Sequence, residues 1–317
     1  MVAVTGDGIR AARDRIPAVF RDSAQFVCEP LSETLGVPVV VKVEIANPIG
    51  CFKGRGTWLA VSELLARGEV GERQGIVVAS AGNFGQGVAY AGRAMRVPVV
   101  VFAAETANRA KVAAMVRLGA DVRLAGEDFD AARGAAASHA VETGWRLLVD
   151  GSDPWIALGA GSMACELTDA VQRGSLPALS SVYVPVGNGA LIAGIGAWMR
   201  HAAPETRVVG VQAAGAPAMT LSWRAKRAIE TERADTIADG IAARVPVPEA
   251  LAVMFEVVDQ MLLVDDPSIV AATEHLAEAL PLAIEPSAGA AWAAALQQPP
   301  RGAIALILTG GNVAPLA

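Results

Sequence analysis

The stretch GIVVASAGNFGQGVAYAGRAMRVPVVVFA, residues 75–103, reads as strand, glycine-rich turn, helix and second strand. GIVVA and VPVVVFA are β-branched runs without polar alternation, so each is expected to be covered on both faces. A connection that holds a whole helix joins parallel strands, because antiparallel neighbours need only a tight turn.

Working outward, the same alternation recurs. Further strands are expected at 37–45, 121–125, 146–149, 181–186, 207–212, 260–265 and 302–308, and helices at 54–67, 86–95, 108–118, 128–142 and 267–279. Repeated βαβ units give an α/β fold with mostly parallel sheets. No solenoid period is visible and no Ser/Pro-rich linker cuts the chain, so a second domain is expected to be inserted rather than strung on.

Composition narrows the function classes. The net charge is −6, and no basic run is present, which argues against a nucleic-acid partner. Cys28, Cys51 and Cys165 form no CxxC pair, and the first residues lack the apolar core of a signal peptide, so a cytoplasmic protein is expected. Residues 181–199 carry no charge, yet they divide into VYVPV, the turn GNGA and LIAGIGAWM. Strand, turn and helix are expected there rather than a membrane span.

Three strand ends carry glycine-rich turns: Ser80-Ala81-Gly82-Asn83-Phe84-Gly85, Gly187-Asn188-Gly189-Ala190 and Thr309-Gly310-Gly311-Asn312. Ligands gather where strands end and helices begin in such sheets, and backbone N–H groups at helix starts bind anions. A phosphate-bearing cofactor is the expectation. Nucleotide signatures fit poorly: no GxxxxGK[ST] occurs, and the GxGxxA match at 159–164 follows DPWIAL, an unconvincing strand. Lys53 stands in Asn47-Pro48-Ile49-Gly50-Cys51-Phe52-Lys53-Gly54-Arg55-Gly56. A lone lysine after a strand is ordinarily a solvated charge. Apolar neighbours and a following helix would instead desolvate this one, which favours a nucleophilic amine.

Lys42-Val43-Glu44, the Lys53 segment, SAGNFGQG, PVGNGALIAG, EPSAGAA (285–291) and LTGGN (308–312), in this order, resemble the fold-type II pyridoxal-phosphate enzymes. The similarity runs over about residues 9–313 and is nearest to the serine/threonine dehydratases, with serine racemases as relatives. It implies a tryptophan synthase β-like α/β architecture: a large domain of residues 1–73 and 153–317, a small inserted domain of 74–152, and a homodimer. It also implies pyridoxal 5′-phosphate as cofactor, with Lys53 as the Schiff-base lysine that also takes the Cα proton. Asn83 would bond the cofactor's 3′-oxygen. Gly187, Asn188, Gly189, Ala190 and Leu191 would hold the phosphate, Thr309 would face the ring nitrogen, and Phe52, Gly240 and Glu285 would line the ring. Ser80, Ala81, Gly82 and Asn83 would take the substrate carboxylate. Arg133 reads more readily as a surface helix arginine, and His139, His201 and His275 as solvated histidines.

Departures from the family pattern refine this. Ala81 stands where racemases place a serine on the opposite face, which favours elimination. Asn188 and Ala190 replace two glycines of the phosphate loop, and Asn188 is expected to tolerate an unusual φ there. Cys51 replaces a serine and Ala160 a glutamine, so the substrate pocket is expected to differ. Gln212 and Ala218 replace metal-binding carboxylates, so no metal is expected there. No regulatory domain is expected after the TGGN turn. The expected reaction is β-elimination of a small hydroxy-amino acid such as L-serine or L-threonine to a 2-oxo acid and ammonia. The alternative is a β- or γ-replacement, as in threonine or cysteine synthases.

Overall fold

The computed structural model describes residues 3–313. Its strands are β1 Gln25–Val27, β2 Val39–Val43, β3 Ile76–Ala79, β4 Val99–Ala103, β5 Asp121–Leu124, β6 Arg146–Leu147, β7 Ser181–Pro185, β8 Arg207–Ala213, β9 Gln260–Val264 and β10 Ile304–Leu308. The helices are α1 Gly6–Arg13, α2 Glu29–Leu35, α3 Lys53–Ala66, α4 Asn83–Met95, α5 Arg109–Arg117, α6 Phe129–Thr143, α7 Pro154–Gln172, α8 Ala190–Ala202, α9 Ala218–Ala225, α10 Pro248–Val257, α11 Asp266–Ala279 and α12 Pro286–Gln297.

Two sheets form. The larger has the order β1-β2-β10-β7-β8-β9, and the smaller β5-β4-β3-β6. All pairings are parallel except β1 with β2. The strand β1 was not expected from the sequence. It is three residues long, sits on an edge and leaves Phe26 and Val27 partly exposed, so it carries no buried apolar run to reveal it. Within the stretches expected at 37–45 and 181–186, β2 and β7 are buried along their whole length, as strands covered on both faces require. The uncharged 181–199 stretch is β7, a turn and the start of α8. Among the described residues, no helix is long and apolar enough to cross a membrane.

DPWIAL opens α7, with Asp153 as its cap accepting from the Trp155 N–H. The GxGxxA match at 159–164 therefore lies inside a helix. Its glycines serve packing: a Cβ on Gly159 would come within 2.5 Å of Gly56 Cα, and one on Gly161 within 2.8 Å of the Gly194 carbonyl. The helices α3, α7 and α8 thus cross almost backbone to backbone, which fixes where α3 begins, and α3 begins with Lys53.

A buried charge cluster fixes it further. Arg55, fully buried, donates Nε and Nη2 to Glu44 at 2.8 Å each and Nη1 to Glu166 at 2.6 Å. Lys42 Nζ donates to the other Glu166 oxygen at 2.5 Å. Two cations meet two carboxylates from β2, α3 and α7, with Glu44 just past β2. Burial alone pushes the Glu166 carboxyl up, but the Arg55 hydrogen bond and charge, aided by Lys42, hold it at about 2. Such a cluster adds little net stability over apolar packing but tolerates only one arrangement of its elements.

Candidate active site

The loop that carries Lys53 is organised by Asn47. Its Nδ2 donates to the Glu44 and Cys51 carbonyls, and its Oδ1 accepts from the Ile49 N–H. Gly50 then takes a left-handed φ of 64°, where a side chain would strike Asn312. The loop lies along the turn after β10. The Phe52 N–H donates to the Thr309 carbonyl (3.0 Å), the Gly311 N–H to the Gly50 carbonyl (2.9 Å), and Cys51 bridges Gly310. Two of the sequence-predicted segments are therefore joined by backbone hydrogen bonds. The Cys51 thiol between them is fully buried, and burial pushes its ionisation upward, so it is a packing group rather than a nucleophile.

The turn after β3 meets the same place from the smaller sheet. Asn83 Nδ2 donates to both Glu285 oxygens at 3.0 Å, and Asn83 Oδ1 accepts from Asn312 Nδ2 at 2.8 Å. Glu285 also accepts from the Asn312 N–H at 3.2 Å, and burial raises its carboxyl above the ordinary range despite the Asn83 bond. Glu285 stands at the cap position of α12, yet its carboxylate faces Asn83 across the cleft. Asn312 was quoted in the TGGN turn without a role, and its amide ties that turn to the asparagine loop. The Ser80 hydroxyl accepts from the Gly82 and Gly85 N–H groups, so it shapes the loop. Ala81 and Gly82 are left with backbone and no polar side chain facing outward.

After β7, Gly189 carries the left-handed backbone (φ 97°) and caps α8. Asn188 does not need the unusual φ expected of it. Its Oδ1 instead accepts the Ala190 N–H at 3.1 Å, which takes up one of the N–H groups expected to serve a phosphate. Ala190 and Leu191 are buried. Gly187 packs against the Gly240 carbonyl, which a Cβ would approach to 2.8 Å, and Gly240 in turn leaves just enough room for the Ser287 hydroxyl. A lone serine on the apolar helix EPSAGAA had given no sequence signal.

Lys53 Nζ lies 4.9 Å from the Phe52 ring and 5.8 Å from that of Phe84, and it donates to Asp150 Oδ2 at 2.5 Å. Asp150 follows β6, and its neighbour Gly151 packs against Asn188. This aspartate is the hydrogen-bond partner of the lysine, and the sequence alone did not single it out. The signal available was an acid at a strand's carboxyl end. Thr309 Oγ1, Ser287 Oγ and Asp150 Oδ1 are buried and have no hydrogen-bond partner.

Two cleft-lining ion pairs join the smaller-sheet region to the larger: Lys111 of α5 with Asp239, and Asp130 of α6 with Arg244. Lys111 also flanks Gly82. Arg133 is exposed and pairs with Asp130, as a surface arginine does. His275 accepts from the Trp292 indole outside the site. Among the described residues, no group of three or more His, Cys, Asp or Glu side chains is set to hold a metal ion.

Comparison with known proteins places this geometry. The profile of the family described as pyridoxal-phosphate dependent enzymes matches residues 26–310. An L-threonine ammonia-lyase of Geobacter sulfurreducens is 32% identical over 308 residues, covering 96% of this chain and 75% of that protein. The fold superposes on the T.th. threonine deaminase with a TM-score of 0.90 and 28% identity, covering 99% of this chain and 100% of that one. It superposes on maize serine racemase with a TM-score of 0.89 and 26% identity, covering 99% and 95%. By both profile and identity, the chain belongs to the pyridoxal-phosphate dependent enzyme family, with the fold-type II architecture.

Proposed function

We propose that this protein eliminates water from a small hydroxy-amino acid, L-serine or L-threonine, and releases a 2-oxo acid and ammonia. The observation that carries the reading is the position of Lys53: a partly buried amine near two aromatic rings, its loop hydrogen-bonded to the Thr309 turn and its amine bonded to Asp150. The relatives named threonine ammonia-lyase support the same chemistry.

The residues fit the cofactor. Two buried hydroxyls without partners, Thr309 Oγ1 and Ser287 Oγ, provide polar contacts for a ring and its nitrogen. The left-handed Gly189 at the start of α8, with Gly187 and Leu191 on either side, directs backbone N–H groups as a phosphate requires. Asn83 would meet the 3′-oxygen, held in place by Glu285 and Asn312. When bound, the cofactor supplies the ring that takes up the electron pair released at Cα.

The chain's own groups do the rest. Lys53 would hold the cofactor through its aldehyde carbon, and its free amine would take the Cα proton. Backbone N–H groups of Ala81, Gly82 and Asn83 at the start of α4 orient the substrate carboxylate, with the Lys111 charge nearby. Thr309 offers a hydroxyl rather than a carboxylate to the ring nitrogen. That makes the ring a weaker electron sink and favours prompt loss of the β-substituent. Ala81 puts no proton donor on the opposite face, which disfavours racemisation. Residues 74–152 form the domain that closes on 1–73 and 153–317 to exclude water, and a cytoplasmic homodimer completes this reading.

Purified protein reconstituted with pyridoxal phosphate should release 2-oxo acid from L-serine or L-threonine. Silence across a panel of hydroxy-amino acids would overturn the proposal. A new amino acid formed only when a thiol is added, or from phosphohomoserine, would assign a replacement reaction instead.

A further inference from the structure

Asp150 is a charged group of the cleft to which the proposed elimination gives no role. Its Oδ2 accepts from Lys53 Nζ at 2.5 Å, and its Oδ1 is buried without a hydrogen-bond partner. Among the hydrogen bonds of the described residues, it is the sole partner of that amine; the other close neighbours are the rings of Phe52 and Phe84. The side chain is 20% exposed, so it faces the cleft rather than bulk solvent. Gly151 next to it, with φ 90°, packs on Asn188 of the turn after β7.

A Schiff-base lysine is a free amine during the part of the cycle in which substrate has displaced it. Its chemistry then needs two proton movements, one from Cα and one to the departing hydroxyl, which is a poor leaving group without a proton. A carboxylate with one oxygen on the amine and the other unoccupied can serve both. Resting on the elimination reading, we propose that Asp150 is a catalytic proton relay between Lys53 and the β-oxygen of the substrate.

In this step the Cα–H bond breaks and its proton forms a new N–H bond on Lys53. The electron pair left at Cα becomes the Cα–Cβ double bond. The Lys53 ammonium passes that proton to the Asp150 carboxylate, and Asp150 delivers it to the oxygen that leaves with the Cβ–O pair, so the oxygen departs as water and both side chains end as they began.

The test compares leaving groups. In D150N holoenzyme, turnover of L-serine or L-threonine is expected to fall by about 10²-fold or more, the usual contribution of a positioned acid–base group. Turnover of β-chloroalanine, whose chloride leaves without a proton, is expected to fall by roughly tenfold at most, because only the relay is lost. D150E should recover part of the hydroxyl-substrate rate. A second readout needs no turnover. In cofactor-free protein at near-neutral pH, Lys53 of D150N should be modified by an amine-directed reagent several-fold faster, because the Asp150 carboxylate no longer engages the amine. Peptide mass spectrometry would identify the site, and D150S serves for both readouts if D150N does not fold. Equal losses for the two leaving groups, or an unchanged modification rate at Lys53, would overturn the relay. A wild-type enzyme that eliminates neither substrate would sink the elimination reading itself.

Discussion

Two groups of charges sit only a few residues apart on α3 and differ in kind. Around Arg55, two cations and two carboxylates are buried and bonded to one another. Around Lys53, the charges cross the cleft between the two sheets, are partly exposed, and lie near polar atoms that the protein leaves unbonded. The first group holds the start of α3 in position; the second is where α3 presents an amine to a ligand. A buried polar atom without a partner costs about 1–3 kcal/mol, so three in one cleft suggest atoms kept for binding rather than for folding.

If this contrast is right, the largest loss of stability comes from the closed cluster. Arg55→Met leaves the buried Glu44 carboxylate without its cation and Glu166 with Lys42 alone, and is expected to cost about 3–5 kcal/mol, read as a large fall in denaturation midpoint. Lysine at this position should not restore it, because one ammonium cannot reproduce the two-sided guanidinium contacts. The same cluster makes stability acid-sensitive. Glu166 ionises at about 2 when folded against an ordinary value of 4.5. Its contribution is therefore complete above about pH 4.5 and is lost as pH falls toward 2. Melting temperature measured from pH 5 downward should fall less steeply in Glu166→Gln, from a lower starting point.

Changes in the open group should invert the pattern. Thr309→Val removes a hydroxyl with no protein partner, so stability of the cofactor-free protein should move by about 1 kcal/mol or less. Cofactor absorbance and turnover should change clearly. A large loss of stability without a spectral change would erase the distinction. Smallest is Arg244→Gln at the rim of the cleft. Its partner Asp130 is a third exposed, and such pairs contribute about 0–1 kcal/mol, so only KM and its salt dependence should move, by a few-fold.

How far this was legible in the sequence depends on range. Short aliphatic runs identified nine of the strands: buried ones such as β2, β4 and β7 need little beyond their own residues, whereas the largely exposed β5 and β6 follow from the alternation with helices. The edge strand β1 escaped because three half-exposed residues carry no such pattern. Lys53, Asn83 and Thr309 were legible as punctuation at strand ends and as a family resemblance. Glu166, Asp150 and Ser287 were not. Glu166 and Asp150 meet their partners across long separations in the chain, 97 residues in the case of Asp150 and Lys53, and a lone aspartate beside Gly-Ser reads as a turn; Ser287 has no protein partner at its hydroxyl. The φ expected of Asn188 failed for a local reason: its neighbour Gly189 absorbs the left-handed turn, which frees the asparagine side chain to cap α8.

The central claim is that Lys53 is the amine joined to the cofactor, and reduction tests it directly. Borohydride treatment of the holo-protein, followed by proteolysis and mass spectrometry, should place the pyridoxyl group on the peptide containing Cys51-Phe52-Lys53. Its absence there, or its appearance on Lys42, Lys111 or Lys226, would contradict the account.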